Sequence, residues 1–133
     1  MSIVDAIRRV LERHPEVRVA YVFGSMARGE GRARSDIDVA LLFGSEPLPG
    51  TVEGLAEELE AAVGRVVDLI VLAAAPPLLA HEVVTAGQRV LCRDERERVR
   101  FETRAAARYL DTARLRAVQQ AYLHERAEAR RER

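Results

Sequence analysis

The stretch that decides the fold is residues 24–38, GSMARGEGRARSDID. An apolar run over 17–23 ends at Gly24, and a second apolar run reaching Phe43 begins with Asp36. Both runs predict strands. Because residues two apart in a strand share one face, Asp36 and Asp38 are expected side by side near the turn at Gly24 and Ser25. Such a pair of carboxylates beside a phosphate-binding turn suits a divalent metal held against a nucleoside triphosphate.

The turn itself has the chemistry of a phosphate site. Gly24 has no Cβ and permits a close approach, and Ser25 offers a hydroxyl before a predicted helical turn at 25–28. Arg28 ends this predicted turn, and Arg32 and Arg34 lie in a predicted polar loop over 29–35. All three could bind a triphosphate, with ordinary loop solubility as the alternative. An isolated Gly-Ser pair more often only ends a strand.

The carboxylates also have alternatives. Asp36 and Asp38 repel each other unless a cation lies between them, but they could also form a solvated strand end. The nearly continuous apolar run over 65–72 predicts a central strand covered on both faces, and Asp68 interrupts it. A buried charge there needs a metal, an arginine or a solvent-facing end. Asp68 is therefore a candidate third ligand and general base, with a structural ion pair as the alternative.

The remaining pattern alternates helices and strands. Helices are expected from Ser2 to about Arg13, over 52–63 with Thr51 as N-cap, and over 78–86, and a strand over 89–92. Asp94 is expected to cap a long charged helix reaching toward Arg133. Its thin apolar stripe is predicted to consist of Val99, Ala106, Leu110, Ala113, Ala117 and Ala121. Residues 1–93 are therefore predicted to form the core, and residues 94–133 a helical segment that packs on it.

Composition narrows the function classes. The chain has 133 residues, 21 basic and 21 acidic, so a zero net charge gives no reason to expect direct nucleic-acid binding. Cys92 is the only cysteine, which excludes an intrachain disulfide. No apolar run is long enough to span a membrane, and no signal peptide is evident, so a cytoplasmic protein is expected.

Taken together, these residues resemble the nucleotidyltransferases of the DNA polymerase β superfamily. The signature of that family, Gly-Ser, ten residues and Asp-x-Asp, matches Gly24-Ser25 and 36–38, and Asp68 fits its third carboxylate. The resemblance implies an α/β (α+β) fold, a small mixed β-sheet with flanking helices. It also implies two Mg²⁺ ions held by Asp36, Asp38 and Asp68, with the triphosphate at Gly24 and Ser25.

The short chain further resembles the antitoxins of HEPN/MNT toxin–antitoxin pairs, with residues 101–123 matching their C-terminal part. That resemblance implies a Mg²⁺-dependent protein adenylyltransferase that moves AMP from ATP to a hydroxyl, expected to be a tyrosine, of a HEPN-type toxin. The charged helix would then be a partner surface rather than only a cover. A non-catalytic antitoxin and an antibiotic-modifying nucleotidyltransferase are the alternatives.

Overall fold

Helices and strands alternate along the chain in this computed structural model, which describes residues 1–24 and 36–131. The elements are α1 (Ile3–Glu12), β1 (Val17–Phe23), β2 (Ile37–Phe43), α2 (Thr51–Val63), β3 (Val67–Val71), a 3-10 turn (Leu72–Ala74), α3 (Pro77–Ala86), β4 (Gln88–Cys92) and α4 (Glu95–Arg131). The predicted turn at 25–28 and loop at 29–35 lie outside the described residues.

The four strands form one mixed sheet in the order β3-β2-β1-β4. Strand β1 is antiparallel to both β2 and β4, whereas β2 and β3 are parallel. The predicted mixed sheet is therefore confirmed, but the prediction that β3 is central was wrong. Helices cover β3 on both faces, through Leu69 on one and Ile70 on the other, so its sequence is apolar although it lies at the edge. The apolar sequence of a strand shows that both of its faces are covered, but it does not show which strands lie beside it.

The sheet separates two helical layers. On one face α1 and α2 pack over Ile37, Val39 and Leu41, and on the other α3 and α4 pack over Tyr21 and Ala40. Alternation along β2 thus sends odd-numbered residues to the α1/α2 layer and even-numbered residues, Asp38 included, to the α3/α4 side. No helix within the described ranges combines the length and apolarity needed to cross a bilayer.

Local chemistry explains where the helices begin and end. Ser2 and Asp5 form the predicted capping box, with Ser2 Oγ accepting from the Asp5 amide at 3.1 Å. Thr51 is not the N-cap of α2, since it is already helical and Gly50, with φ +85°, occupies that position. Gly64 ends α2 in the left-handed conformation that glycine favours. Asp94 caps α4 as predicted, its Oδ1 accepting from the amides of Arg96 and Glu97.

The base of α4 is fixed to the sheet by a face other than the predicted stripe. Ala105 is buried and Phe101 packs against the core, whereas Val99 is 49% exposed and Leu110 70% exposed. The hydroxyl of buried Tyr21 also donates to Glu102 Oε1 at 2.6 Å. Two apolar lines share helical spacing along α4, and only contact with the sheet shows which of them is buried.

Aromatic stacking extends this attachment by one more turn. The rings of His81 on α3 and Tyr109 on α4 stack at 3.6 Å with planes 8° apart. The Arg116 guanidinium covers the other face of Tyr109, 4.1 Å from the ring centroid. The helix continues through Asp111 and Thr112 without a break, and from residue 117 to residue 131 its residues are exposed.

Candidate active site

Two of the predicted carboxylates lie side by side on neighbouring strands. In the parallel pairing of β2 with β3, Asp38 stands directly opposite Asp68. On its other side, Asp38 pairs with Phe23, the last residue of β1. Residues in register on adjacent strands project to the same face, so Asp38 and Asp68 share the corner where β1 ends and β2 and β3 begin.

Gly24 follows Phe23 and completes this corner. Its φ of +70° is in the left-handed region that glycine adopts without strain. A Cβ at this position would overlap Asp38 Oδ2 and lie 3.3 Å from Asp38 Cγ. Sequence analysis assigned Gly24 the role of letting a phosphate approach. The structure adds a second reason for glycine, since the position must also leave room for the Asp38 carboxylate.

Asp68 corrects one step of the sequence argument. The prediction rested on the cost of burying a charge, but Asp68 is exposed, at the edge of the sheet. No desolvation cost therefore demands a partner for it. What relates Asp68 to the site is position, because the register with Asp38 sets two acidic side chains next to each other in a place that solvent and a substrate can reach.

Asp36 and the phosphate-binding candidates complete the set of predicted residues. Asp36 is exposed and immediately precedes β2, whose first amide, from Ile37, donates to the Val66 carbonyl at 2.9 Å. Ser25, Arg28 and Arg32 lie outside the described residues. Asp36, Asp38 and Asp68 thus lie at the starts of two adjacent strands, and the roles of these three aspartates and of Ser25, Arg28 and Arg32 stay predictions.

The donor set at this corner matches the needs of magnesium. Across residues 1–24 and 36–131, no three His, Cys, Asp or Glu side chains converge to hold an ion by themselves. Protein-bound Mg²⁺ usually takes only one or two carboxylates and completes its shell with water and substrate phosphates. Asp38 and Asp68 lie opposite each other beside a glycine that leaves room for the Asp38 carboxylate, and this arrangement fits that mode of binding.

Comparison with known proteins identifies the fold. The family described as polymerase β, nucleotidyltransferase matches residues 5–96. The chain belongs to the polymerase β nucleotidyltransferase family. The match spans α1 to the start of α4 and includes Gly24, Asp36, Asp38 and Asp68. The mixed sheet with helices on both faces is thus the nucleotidyltransferase fold, as the resemblance implied.

Relatives within the family carry a more specific description. The protein adenylyltransferase MntA of Shewanella oneidensis is 33% identical over 85 residues, which cover 63% of this chain and 60% of that protein. The protein adenylyltransferase MntA of Thermococcus cleftensis is 39% identical over 71 residues, covering 52% and 70% of the two chains. The match therefore spans less than two thirds of the Shewanella relative.

Solved structures extend the likeness beyond the family match. A chain in a crystal structure of a toxin–antitoxin with AMP-PNP superposes with a TM-score of 0.76 and 28% identity, covering 92% of this chain and 96% of that one. A chain in the complex of a tri-AMPylated Shewanella oneidensis HEPN toxin with its MNT antitoxin gives a TM-score of 0.70 at 26% identity, covering 92% and 94%. The coverage exceeds the family match and therefore includes part of α4.

Proposed function

We propose that this chain is an antitoxin that transfers AMP from ATP to a tyrosine hydroxyl of a HEPN-type toxin. The observation that carries the proposal is the pairing of Asp38 with Asp68 beside Gly24. It is supported by similarity to MntA adenylyltransferases and by likeness to chains in toxin–antitoxin structures, one with AMP-PNP and one with an AMPylated toxin. Use of ATP is consistent with action in the cytoplasm.

In this proposal the three aspartates hold two Mg²⁺ ions together with the triphosphate. When bound, the ions neutralise charge that builds on the α-phosphate and on the leaving pyrophosphate. Gly24 and Ser25 receive the β- and γ-phosphates, and Arg28 and Arg32 contact the same phosphates. The carboxylates therefore position the metals, while the turn and the loop after β1 position the nucleotide.

The exposed position of Asp68 allows it to act in the transfer step. The acceptor oxygen attacks the α-phosphorus and forms a new phosphorus–oxygen bond. The bond from the α-phosphorus to the bridging oxygen breaks, and pyrophosphate leaves with that electron pair. Asp68 accepts the proton of the acceptor hydroxyl as general base, which its solvent-facing place at the sheet edge permits.

Intact-mass analysis tests the activity. The chain is incubated with ATP, Mg²⁺ and the protein encoded by the adjacent open reading frame, the candidate HEPN-type toxin, and an adenylate-sized mass increase is expected on that protein. Asp38→Asn should abolish the increase, whereas Glu57→Gln, an exposed charge loss on α2, should leave it intact. Chelation of the metal should stop transfer, and added Mg²⁺ should restore it. Equal transfer by wild type and Asp38→Asn would overturn the proposed role of the site.

Neutralisation of the toxin separates catalysis from binding. If catalysis protects the cell, co-expression of Asp38→Asn with the toxin should fail to restore growth although the two proteins still form a complex. Full protection by Asp38→Asn would instead identify a non-catalytic antitoxin that acts by covering the toxin.

A further inference from the structure

A basic groove lies at the far end of β2 from the aspartates. It has a volume of about 310 Å³ and is lined by Arg100, Arg104 and Arg108 of α4, over apolar side chains that include Leu42, Phe43 and Phe101. The rise along β2 separates Asp38 from Phe43 by roughly 17 Å. The groove is therefore distinct from the candidate active site.

Among the residues that the structure describes, the three arginines of the groove lack the acidic partners that neighbouring arginines have. Arg18 pairs with Glu97 at 3.1 Å, and Arg98 pairs with Glu95 at 2.6 Å and Glu102 at 2.7 Å. Glu97 also lines the groove, but Arg18 already neutralises it. The paired residues Arg98 and Glu102 thus leave one flank of α4 electrically balanced.

Within the described residues, by contrast, no ion pair or hydrogen bond engages Arg100, Arg104 or Arg108. They are spaced four residues apart, so their Cα atoms rise by about 6 Å each along α4. The result is a row of uncompensated guanidinium groups, which recognise carboxylates with bidentate geometry.

The same helical line continues past the core as an apolar surface. Leu115 follows Arg108 by seven residues, Val118 follows by three more, and Tyr122 by four more, the spacing of one helix face. Their exposed fractions are 57%, 59% and 57%. One face of α4 therefore offers a row of cations followed, after the exposed Asp111, by a row of apolar side chains.

We infer that this face of α4 is the docking surface for an acidic segment of the acceptor protein. Carboxylates of that segment lie in the arginine groove, and its apolar side chains cover Leu115, Val118 and Tyr122. The apolar side chains that follow the arginines favour a protein partner over a nucleic-acid strand, because leucine and valine neither stack on bases nor bind phosphates. Only the identity of the acceptor rests on the function proposed above.

Binding measurements with matched variants test the docking surface. The protein encoded by the adjacent open reading frame is purified and titrated against wild type. It is also titrated against the groove variant Arg100→Gln/Arg104→Gln/Arg108→Gln and against the control variant Arg9→Gln/Arg89→Gln/Arg130→Gln. Both triple variants lose the same charge, and all six arginines are exposed. The groove variant should bind at least about 30-fold more weakly, and the control within about twofold of wild type. Circular dichroism establishes that both variants fold.

Two further readouts distinguish docking from chemistry. Added salt should weaken wild-type binding more steeply than binding of the groove variant. At saturating acceptor, the groove variant should keep the wild-type kcat with a raised KM, whereas Asp38→Asn should keep the affinity and lose transfer. Loss of transfer in Asp38→Asn without loss of affinity thus tests the active site independently of the groove.

Three outcomes would overturn the inference. The first is unchanged affinity in the groove variant, and the second is an equal loss in the control. The third is arginine-dependent binding of a labelled single-stranded RNA in place of the protein. A second variant, Leu115→Ser/Tyr122→Ser, should also weaken the complex. Wild-type affinity in that variant would show that the apolar side chains do not take part in docking.

Discussion

Gly24 lies against Asp38, so closely that any side chain at position 24 would overlap the Asp38 carboxylate. The two residues are fourteen positions apart in sequence but meet because Phe23 pairs with Asp38 across β1 and β2. The glycine of the turn and the central aspartate of the site are thus one structural unit. A residue predicted to serve the nucleotide also determines where a carboxylate can lie.

Gly24→Ala should lower adenylyl transfer by about 100-fold, because a displacement of Asp38 by an ångström is enough to spoil the alignment of the reacting groups. The substitution also carries a backbone cost of roughly 1–2 kcal/mol for a non-glycine residue at positive φ. Steady-state transfer rates and thermal unfolding measure the two effects separately.

Gly64→Ala is the matched control for that prediction. Gly64 has φ +71°, nearly the angle of Gly24, yet nothing lies within 4 Å of a Cβ there. Both variants should lose similar stability, and only Gly24→Ala should lose activity. Equal activity in the two variants would show that contact with Asp38 is unimportant.

Asp68→Asn should reduce kcat by about 100-fold to 10,000-fold, the usual contribution of a general base, with little change in melting temperature. The physical reason is exposure, since no buried charge is removed and no core contact is lost. Glu57→Gln removes an exposed charge elsewhere and serves as the control. A large fall in melting temperature for Asp68→Asn would contradict the solvent-facing placement.

Features that are specified within a few residues of sequence are present as predicted, whereas a feature that depends on pairing between distant strands was not predicted. Strand β1 begins and ends at the predicted residues, and the capping box of α1 and the Asp94 cap of α4 are present, because each is specified within a few residues. The edge position of β3 depends on pairing with a distant strand. Its sequence could not reveal that, so it could not decide whether Asp68 would be buried with a partner or would face solvent.

The candidate site also combines features set by local sequence with features set by contacts between distant residues. Spacing within residues 24–38 predicted that Asp36 and Asp38 would lie near the glycine turn, but contact between Gly24 and Asp38 follows from strand register. The arginines at 100, 104 and 108 stand at every fourth position and could have been noticed as a helical row. Only the structure shows that they line a groove and that, within residues 1–24 and 36–131, they have no acidic partners.

Tyr21→Phe should destabilise the protein by about 1.5 kcal/mol, because the hydroxyl of buried Tyr21 donates to the Glu102 carboxylate and anchors α4 to β1. Burial, together with the hydrogen bond to Glu102, raises the pKa of Tyr21. Urea unfolding of wild type and of the variant at pH 8 measures the difference. Tyr122→Phe, which alters an exposed ring, should be neutral.

The raised pKa of Tyr21 predicts a specific alkaline dependence. Above pH about 10 the unfolded chain releases the tyrosine proton while the native state retains it, so the free energy of unfolding falls as pH rises toward the native pKa. This loss should be present in wild type and largely absent in Tyr21→Phe when unfolding is compared at pH 8 and pH 10.5. Parallel pH profiles for the two proteins would show that Tyr21 does not hold its proton more tightly when folded.

Asp94 predicts the opposite dependence at acid pH. Hydrogen bonds from the amides of Glu97 and Arg96 lower the pKa of the Asp94 carboxyl. Its stabilising effect is therefore complete above pH about 4, the unfolded pKa, and is lost as pH falls through the lower native pKa. Melting temperatures measured from pH 7 to pH 2 should show this loss in wild type.

Two substitutions at Asp94 separate the cap from its charge. Asp94→Asn keeps a side-chain oxygen that can accept from the same amides, so it should retain most of the stability at pH 7 and reduce the acid-dependent loss. Asp94→Ala removes the acceptor and should melt at a lower temperature at pH 7, with the base of α4 frayed. Asp111→Asn, within α4 and away from its N-terminus, is the control for loss of one carboxylate. If Asp94→Ala had the same melting temperature as wild type at pH 7, the Asp94 cap would not be the cause of the start of α4 at Glu95.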